Sequence, residues 1–529
     1  MPPAIQPSSM PPATMMMGTT MTALSVVLLV AGVVLWIEGS NHQDDTIGLL
    51  EKIIATAAVM VVLLGGRWLP LEIAALALAF IAAVVLAALL WSAISFMPPG
   101  PLHADEAVQW SLAKELSEGT PYSSHQDKFH GPTLATVLLI SAKLTGTAPM
   151  DMDEHYLRSV VSIFLGLMAA AALILPGIGR SVRYVTAGFV VLTAGCTPFS
   201  YYFVQEMLLV TGFVWGVALW MRAEGSPPSS RWWLLSGAAF GFALACKVTA
   251  AAYLFLFIVA LLLLRRFVPD RRWLRFGFGL VASWALFQSV GFTDFDGLRT
   301  WWVQLARALG VASGHSEDTL LAASLAPWGW AAAWLAVFAL ARSGLSLAGW
   351  RSRHEADLPC LAAFLVFLFH LALPYKTPWL LLLVFSLPLT LALPYLLVGR
   401  TVRALVLAPA LVTVALMAQM SLSSHTQTSV AVPDFHHKVA KLAKAYGDKF
   451  YIAVEGGHYW PLPYYLRAHR VGYGDFPQAA KAPLRLIPAT DASEPVVPGY
   501  TVSSLTLREG GDRYWVLVAK GYESVFIGK

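Results

Sequence analysis

Long apolar runs are the feature that most limits how this chain can fold. Many of them reach the roughly 17–25 residues that an α-helix needs to cross a bilayer. They are continuous, whereas the strands of a membrane β-barrel alternate apolar and polar residues. Only 13% of the 529 residues are charged, against about 25% in a soluble domain. These observations predict an all-α polytopic membrane protein.

The runs predict about 13 transmembrane helices. Basic residues concentrate in alternate short loops, as in the loop with Arg265, Arg266, Arg271 and Arg272, and such loops face the cytoplasm. The N-terminus is therefore predicted inside the cell and the C-terminus outside, in a multi-pass protein of the cell membrane. The spans are predicted near 22–37, 48–65, 70–96, 158–178, 184–203, 206–222, 231–247, 249–264, 273–292, 323–341, 356–373, 378–398 and 403–421.

Four regions follow from this pattern. Residues 1–20 lack Lys and Arg and are predicted to be a disordered tail, and residues 21–69 hold two additional spans. Residues 70–421 form the membrane core. Its outer loop 97–157 includes "GPTLATVLLISAKLTG", which is predicted to lie as a helix in the membrane interface. In 422–529, helix-like "DFHHKVAKLAKAYG" and strand-like "KFYIAV", "TVSSLTL" and "YWVLVA" predict a small extracytoplasmic α/β domain.

An acidic pair, Asp105 and Glu106, stands in "PPGPLHADEAVQW", directly after a predicted span. Pro98, Pro99 and Pro101 end a helix and favour extended backbone after it, so the carboxylates are expected at the outer membrane surface. Two solvated loop acids would need no further explanation. The pair becomes informative only together with other ionisable residues near the same surface.

Three such residues lie at helix ends among apolar neighbours: Glu206 in "YYFVQEMLLV", Lys247 in "LACKVTAA" and Lys376 in "LPYKTPWLLL". Ionisable residues at this depth usually face a cavity or a charged partner. Alternatively, the glutamate reaches water and the lysines extend to the interface. Together they suit a substrate with an anionic head and a lipid tail, because lysine binds phosphate and a carboxylate can act as a general base.

A divalent metal ion is the one cofactor that these residues suggest. His103 and His130, with Asp105 and Glu206, supply suitable ligand atoms, although their spacing matches no strong metal motif. Three cysteines inside apolar runs are predicted to be core residues without disulfides: Cys196, Cys246 and Cys360.

Seven segments carry a family resemblance in their order along the chain: "HADEAVQWSLAKELSEGTPY", "FHGPTLATVLLISAKLTG", "YLRSVVSIFLGLMAA", "YYFVQEMLLV", "LACKVTAA", "YKTPWLLL" and "HYWPLPYYLR". They resemble the GT-C membrane glycosyltransferases, which include protein O-mannosyltransferases and aminoarabinose transferases, and most of all the prokaryotic flippase-activity-associated branch. The resemblance covers most of the chain from about residue 70. Two positions depart from the family pattern. Gln205 stands where a basic residue or histidine is frequent, and Val248 where an acidic residue is frequent.

The resemblance implies an inverting glycosyltransferase that moves a sugar from a polyprenyl-phosphate donor to an acceptor hydroxyl on the extracytoplasmic face. The departing phosphate is stable as an anion, so the reaction needs a base but no general acid. Asp105 is expected to be the base, and Glu106 to position it or the acceptor. The remaining candidates would hold the donor: Lys376 and Lys247 at the phosphate, and Glu206, His103 and His130 at the sugar or a metal.

Acceptor recognition is assigned to Trp460, Tyr464 and Tyr465, because aromatic faces stack on sugars. Alternatively, these rings only pack the outer domain against the membrane. The expected partners are a polyprenyl-phosphate-linked sugar, a glycan, lipid or protein acceptor, and membrane lipid; no nucleic acid is expected. The rival functions are a lipid-linked sugar flippase or other transporter, and a non-catalytic scaffold.

Overall fold

A computed structural model of the protein describes eight ranges of the chain: 100–124, 130–179, 202–228, 230–311, 357–372, 428–489, 493–508 and 511–527. Isolated residues are also described at 182–183, 186–188, 190, 390–391 and 395. Seven of the predicted spans lie wholly or mostly outside these residues: 22–37, 48–65, 70–96, 184–203, 323–341, 378–398 and 403–421.

The outer loop contains two helices, α1 (Ala104–Ser117) and α2 (Thr133–Thr145). Helix α2 occupies the segment that the sequence predicts to be an interfacial helix, and it ends at Gly146 in a left-handed conformation. Helix α1 differs from the expectation. The acidic pair lies in its first turn and not in extended backbone, because the extended segment stops at His103.

Six helices coincide with predicted spans in the described ranges: α3 (Glu154–Ile174), α4 (Glu206–Glu224), α5 (Arg231–Cys246), α6 (Thr249–Leu263), α7 (Arg272–Gln288) and, after one further helix, α9 (Asp357–Ala372). Helices α3 and α4 are long and apolar enough to cross a membrane, whereas the apolar helix α6 is shorter. The predicted total of about 13 spans stays a prediction.

The further helix is α8 (Asp296–Val311), in a segment that the sequence assigns to an outer loop. Trp301 and Gln304 are buried on one side of α8, whereas Trp302 and Leu309 are exposed on the other. The helix is also amphipathic, because its polar and apolar residues lie on different sides. Its mixture of polar and apolar residues gives no long apolar run, which explains why hydropathy did not predict it.

Helices α5 and α7 pack with their backbones in contact. Gly237 and Gly241 lie four residues apart on α5, and Gly279 faces them from α7. An added Cβ would lie 1.9 Å from the Phe276 carbonyl oxygen at Gly237, and 2.1 Å from that of Leu234 at Gly279. Small residues at this spacing are a known means of close helix packing in membranes.

The C-terminal region begins with α10 (Ala431–Tyr446) and forms a five-stranded sheet. The strands are β1 (Ile452–Val454), β2 (Val471–Tyr473), β3 (Leu484–Pro488), β4 (Tyr500–Thr506) and β5 (Arg513–Ala519), with short helices α11 (Leu462–Tyr465) and α12 (Glu523–Ile527). Their order is β2-β1-β3-β5-β4. Strands β1, β2 and β3 are parallel, and β5 is antiparallel to both β3 and β4. The predicted helix and strands are confirmed, and β2 and β3 were not predicted.

Candidate functional site

The acidic pair is built into the N-terminal cap of α1. His103 is the N-cap residue, and its Nδ1 accepts a hydrogen bond of 3.1 Å from the Asp105 N–H. In return, Glu106 Oε2 accepts a bond of 2.8 Å from the His103 N–H. These reciprocal bonds satisfy two N–H groups that a helix start leaves without partners. The "HADE" segment therefore fixes its own backbone.

Glu106 is completely buried and makes a two-point ion pair with Arg158 on α3. Arg158 Nε lies 2.9 Å from Oε1, and Nη2 lies 2.7 Å from Oε2. The Phe203 N–H also donates to Oε1 at 2.9 Å. Burial alone would raise the pKa of Glu106, but Arg158 and the two backbone donors outweigh it and lower the pKa. Glu106 is thus an ionised carboxylate that is fully occupied by protein partners.

Arg158 also holds the backbone that precedes α1. Its Nη1 donates to the Gly100 carbonyl oxygen at 2.8 Å, and its Nη2 to that of Pro101 at 3.3 Å. This arginine was not among the residues singled out from the sequence. A lone arginine at the start of an apolar run was the available signal, since a buried charge needs a partner.

Asp105 points away from these contacts. Its side chain is 36% exposed, and Oδ2 lies 3.9 Å from His103 Nδ1. His103 itself is buried and packs against Tyr202, with ring centroids 5.4 Å apart. Burial lowers the pKa of His103 despite the two neighbouring carboxylates, so its imidazole is neutral at pH 7. Within the acidic pair, Asp105 is therefore the carboxylate that a ligand can reach.

The second acid, Glu206, begins α4 and pairs with Lys247, which directly follows α5. Lys247 Nζ lies 2.6 Å from Glu206 Oε1, and Glu206 is completely buried. His130 lies within electrostatic range of the same carboxylate. The two residues that the sequence assigns separately to the donor sugar and its phosphate are therefore partners of each other. Lys376, the other predicted phosphate ligand, lies outside the described residues.

Gln205 connects the two ion pairs. Its Nε2 donates to Gln109 Oε1 on α1 at 3.1 Å and to the carbonyl oxygen of Gly131. The Gly131 N–H in turn donates to the Cys246 carbonyl oxygen at 3.0 Å, beside Lys247. Gln205 thus links α1, the start of α2 and the end of α5. It does so at the position where the resemblance leads one to expect a basic residue or histidine.

The aromatic residues predicted to bind an acceptor lie at the contact between the C-terminal region and the outer loop. Tyr464 and Tyr465 are buried. Tyr464 donates to the Met152 carbonyl oxygen at 3.0 Å, and Tyr465 Oη accepts from the Leu102 N–H at 2.8 Å. Both rings therefore hold the domain in place and leave no open face for a sugar. Trp460 is only partly buried.

The described residues contain no cluster of side chains suited to bind a metal ion. No group of three or more His, Cys, Asp or Glu side chains comes together there in a way that could hold a metal ion. Among the predicted ligands, His103 Nδ1 is engaged with the Asp105 N–H, and Glu206 is engaged with Lys247. Cys246 and Cys360 are buried in α5 and α9, as predicted for core residues.

Comparisons with known proteins identify the fold. No protein-family model matches the sequence, and curated proteins give no significant match. The structure is similar to the crystal structure of ArnT from Cupriavidus metallidurans in the apo state, with 13% identity and a TM-score of 0.53, over 83% of this chain and 97% of that one. Lower TM-scores relate it to the Archaeoglobus fulgidus oligosaccharyltransferase in complex with Zn and sulfate (0.46; 11% identity; 74% and 62% of the chains) and to the arabinofuranosyltransferase AftD from Mycobacteria (0.42; 14%; 84% and 40%).

The likeness to ArnT extends over nearly the whole of that protein, so the chain has the fold of a polytopic, mostly helical membrane protein with a small C-terminal sheet. This is the fold that the resemblance to the GT-C membrane glycosyltransferases implies. The similarity to ArnT therefore supports the fold that the short segments predict. The number of spans, the sidedness and the roles of individual residues stay predictions.

Proposed function

We propose that the protein is an inverting GT-C glycosyltransferase that transfers a sugar from a polyprenyl-phosphate donor to an acceptor hydroxyl, with Asp105 as the general base. The observation that supports this best is the division within the acidic pair. Glu106 is buried and bonded to Arg158, whereas Asp105 is partly exposed at the start of the same helix. One carboxylate fixes the geometry, and the other is left for chemistry.

The proposed reaction needs one proton acceptor. An Asp105 carboxylate oxygen accepts the proton of the acceptor hydroxyl while the hydroxyl oxygen forms a bond to the anomeric carbon. The bond from that carbon to the phosphate oxygen breaks on the opposite face, and its electron pair stays on the phosphate. Polyprenyl phosphate leaves as an anion, so no acid has to protonate it.

Positive charge stabilises the phosphate as it leaves. We assign this role to Lys376 and Lys247, as the sequence resemblance implies. Pairing with Glu206 is compatible with it, because a lysine ammonium has three N–H donors. Glu206 then fixes the direction of the Lys247 side chain. Donor orientation by His130, which lies near Glu206, and acceptor stacking on Trp460 belong to the same proposal.

Asp105→Asn tests the assignment. Purified variant, incubated with a polyprenyl-phosphate sugar and an acceptor, is expected to lose at least about 100-fold in turnover, the lower range for general base catalysis. Its unfolding temperature is expected to stay unchanged, since the Asp105 carboxylate is partly exposed and its contact with His103, at 3.9 Å, is too long for a hydrogen bond. Asp151→Asn, an exposed acid of the same outer loop, is the matched control. An active Asp105→Asn protein would reject Asp105 as the base.

The same preparation separates the transferase from its rivals. A transferase forms glycosylated product in detergent. A flippase moves the sugar lipid across the bilayer of reconstituted vesicles without forming glycosylated product, and a scaffold does neither. If the wild-type protein moved the sugar lipid across the bilayer but formed no glycosylated product, the protein would be a flippase and the proposed transferase function would be wrong.

A further inference from the structure

The turn between α6 and α7 is strongly cationic. Residues 264–275, which we call the cationic turn, hold five arginines and one aspartate: Arg265, Arg266, Arg271, Arg272, Arg275 and Asp270. The distribution of basic residues along the chain predicts that this turn faces the cytoplasm. This charge lies at the opposite end of the helices from the predicted site of sugar transfer, so it is available for another role.

Two of the arginines build the frame of the cationic turn. Arg266 Nη1 lies 3.0 Å from Glu224 Oε2 at the end of α4. Arg272 Nε lies 2.7 Å from Asp270 Oδ2, and its guanidinium stacks 5.0 Å from the Trp233 ring centroid. Among the described residues, the carboxylates of Glu224 and Asp270 are therefore paired with arginines that also contact neighbouring helices.

Arg271 has a different position. It is exposed and forms no ion pair within the described part of the chain. It lies at the edge of an open cavity of about 600 Å³. The other lining residues are Phe267, Pro269, Asp270, Trp273 and Leu274. Phe267 and Trp273 pack together with ring centroids 4.8 Å apart, so the cavity has an apolar wall beside a cationic group.

The exposed face of α7 continues the pattern away from the cavity. Arg271, Leu274, Arg275 and Phe278 recur at intervals of three and four residues and so share one side of the helix. Leu274 is 74% exposed, Phe278 70% and Val281, further along, 55%. This side of α7 is therefore charged at its beginning and apolar further along. The same order is found in a membrane phospholipid, whose charged head lies at the surface and whose acyl chains lie below it.

We propose that the cationic turn and this face of α7 bind an anionic glycerophospholipid. The Arg271 guanidinium holds the phosphate, because arginine donates two parallel hydrogen bonds to phosphate oxygens. An acyl chain lies along Leu274 and Phe278. A zwitterionic choline head is disfavoured, because its own cation would lie among the arginines. The site is independent of the transfer reaction and of Asp105.

Binding of phosphatidylglycerol and phosphatidylcholine to the delipidated full-length protein, measured by native mass spectrometry, tests this. The wild-type protein is expected to prefer phosphatidylglycerol. Arg271→Gln is expected to weaken that binding about fivefold, the effect of one basic residue at an anionic membrane surface, and to leave phosphatidylcholine binding unchanged. Arg271→Lys should retain the preference. Arg307→Gln, an exposed arginine of α8, is the matched control.

Three results would overturn the proposal. One is equal affinity of the wild-type protein for the two lipids, and another is unchanged phosphatidylglycerol binding by Arg271→Gln. The third is equally tight binding of water-soluble glycerol phosphate, which would show a phosphate site with no acyl chain along α7. Because Arg271 is exposed, an unchanged unfolding temperature is expected for its variants, so a loss of binding reports the site itself.

Discussion

Neighbouring residues in the acidic pair have opposite environments. Glu106 is buried with four hydrogen bonds from Arg158, His103 and Phe203, whereas Asp105 is partly exposed. A buried ion pair costs a large desolvation free energy, which close geometry and additional hydrogen bonds offset. The benefit of the pair is that the backbone from Gly100 to Glu106 is held in one position.

Arg158→Met is expected to destabilise the protein by about 3–5 kcal/mol, because it leaves the Glu106 carboxylate buried without its partner. Adding Glu106→Leu should restore part of this loss, since no unpaired charge remains. Unfolding of wild type, both single variants and the double variant in detergent measures the coupling. If the double variant lost as much as the sum of the single losses, Glu106 and Arg158 would not act as a pair.

Sequence reasoning found several members of these pairs but not the pairing. Asp105, Glu106, Glu206 and Lys247 were singled out because charges among apolar residues are unusual. Glu206 and Lys247 lie 41 residues apart, and that separation carries no information on contact. Each was therefore assigned to a ligand. Arg158 was missed because its partner lies 52 residues away.

At the scale of elements, apolar length predicted six helices within a few residues, since an uninterrupted apolar run has few alternatives to a helix in a bilayer. Helix α1 was not predicted because its N-cap is a histidine, outside the residues that usually mark a helix start. Helix α8 was not predicted because amphipathic helices lack a long apolar run. The close packing of α5 on α7 can be recognised only from the structure, because the sequence does not show which helices are neighbours.

Gly279→Ala tests this packing. A Cβ there would lie 2.1 Å from the Leu234 carbonyl oxygen, so α5 and α7 must separate, and we expect a loss of about 1–3 kcal/mol in stability. Gly277→Ala, two residues away on the same helix, meets no atom within 4 Å and should leave stability unchanged or slightly raised. Thermal unfolding of the two variants makes the comparison. Equal effects would contradict close packing at Gly279.

At the scale of the whole molecule, the C-terminal region is joined to the outer loop by partly buried hydrogen bonds. Arg467 donates from Nε to the Met150 carbonyl oxygen at 2.9 Å and from Nη2 to that of Met152 at 3.2 Å. Its guanidinium also stacks 4.1 Å from the Tyr464 ring centroid. The hydrophobic core is continuous across this contact.

Arg467→Ala is expected to loosen this contact, because the Met150 carbonyl oxygen loses its Arg467 donor and the Met152 carbonyl oxygen keeps only Tyr464. Hydrogen–deuterium exchange should rise in 148–152 and 462–467 and stay unchanged in β3 and β5, whose ladder does not involve Arg467. Arg513→Ala, at an exposed position of β5, is the control. Unchanged exchange at 148–152 would mean that Arg467 does not hold the domain.

Both backbone hydrogen-bonding groups of Leu102 bind residues of the C-terminal region. Its N–H donates to Tyr465 Oη at 2.8 Å, and its carbonyl oxygen accepts from Thr428 Oγ1 at 2.6 Å. Asp105 stands three residues later, directly before Glu106, which Arg158 of α3 holds by its side chain. If Asp105 is the base, we expect turnover to require correct docking of the C-terminal region on the outer loop, so turnover would report correct assembly.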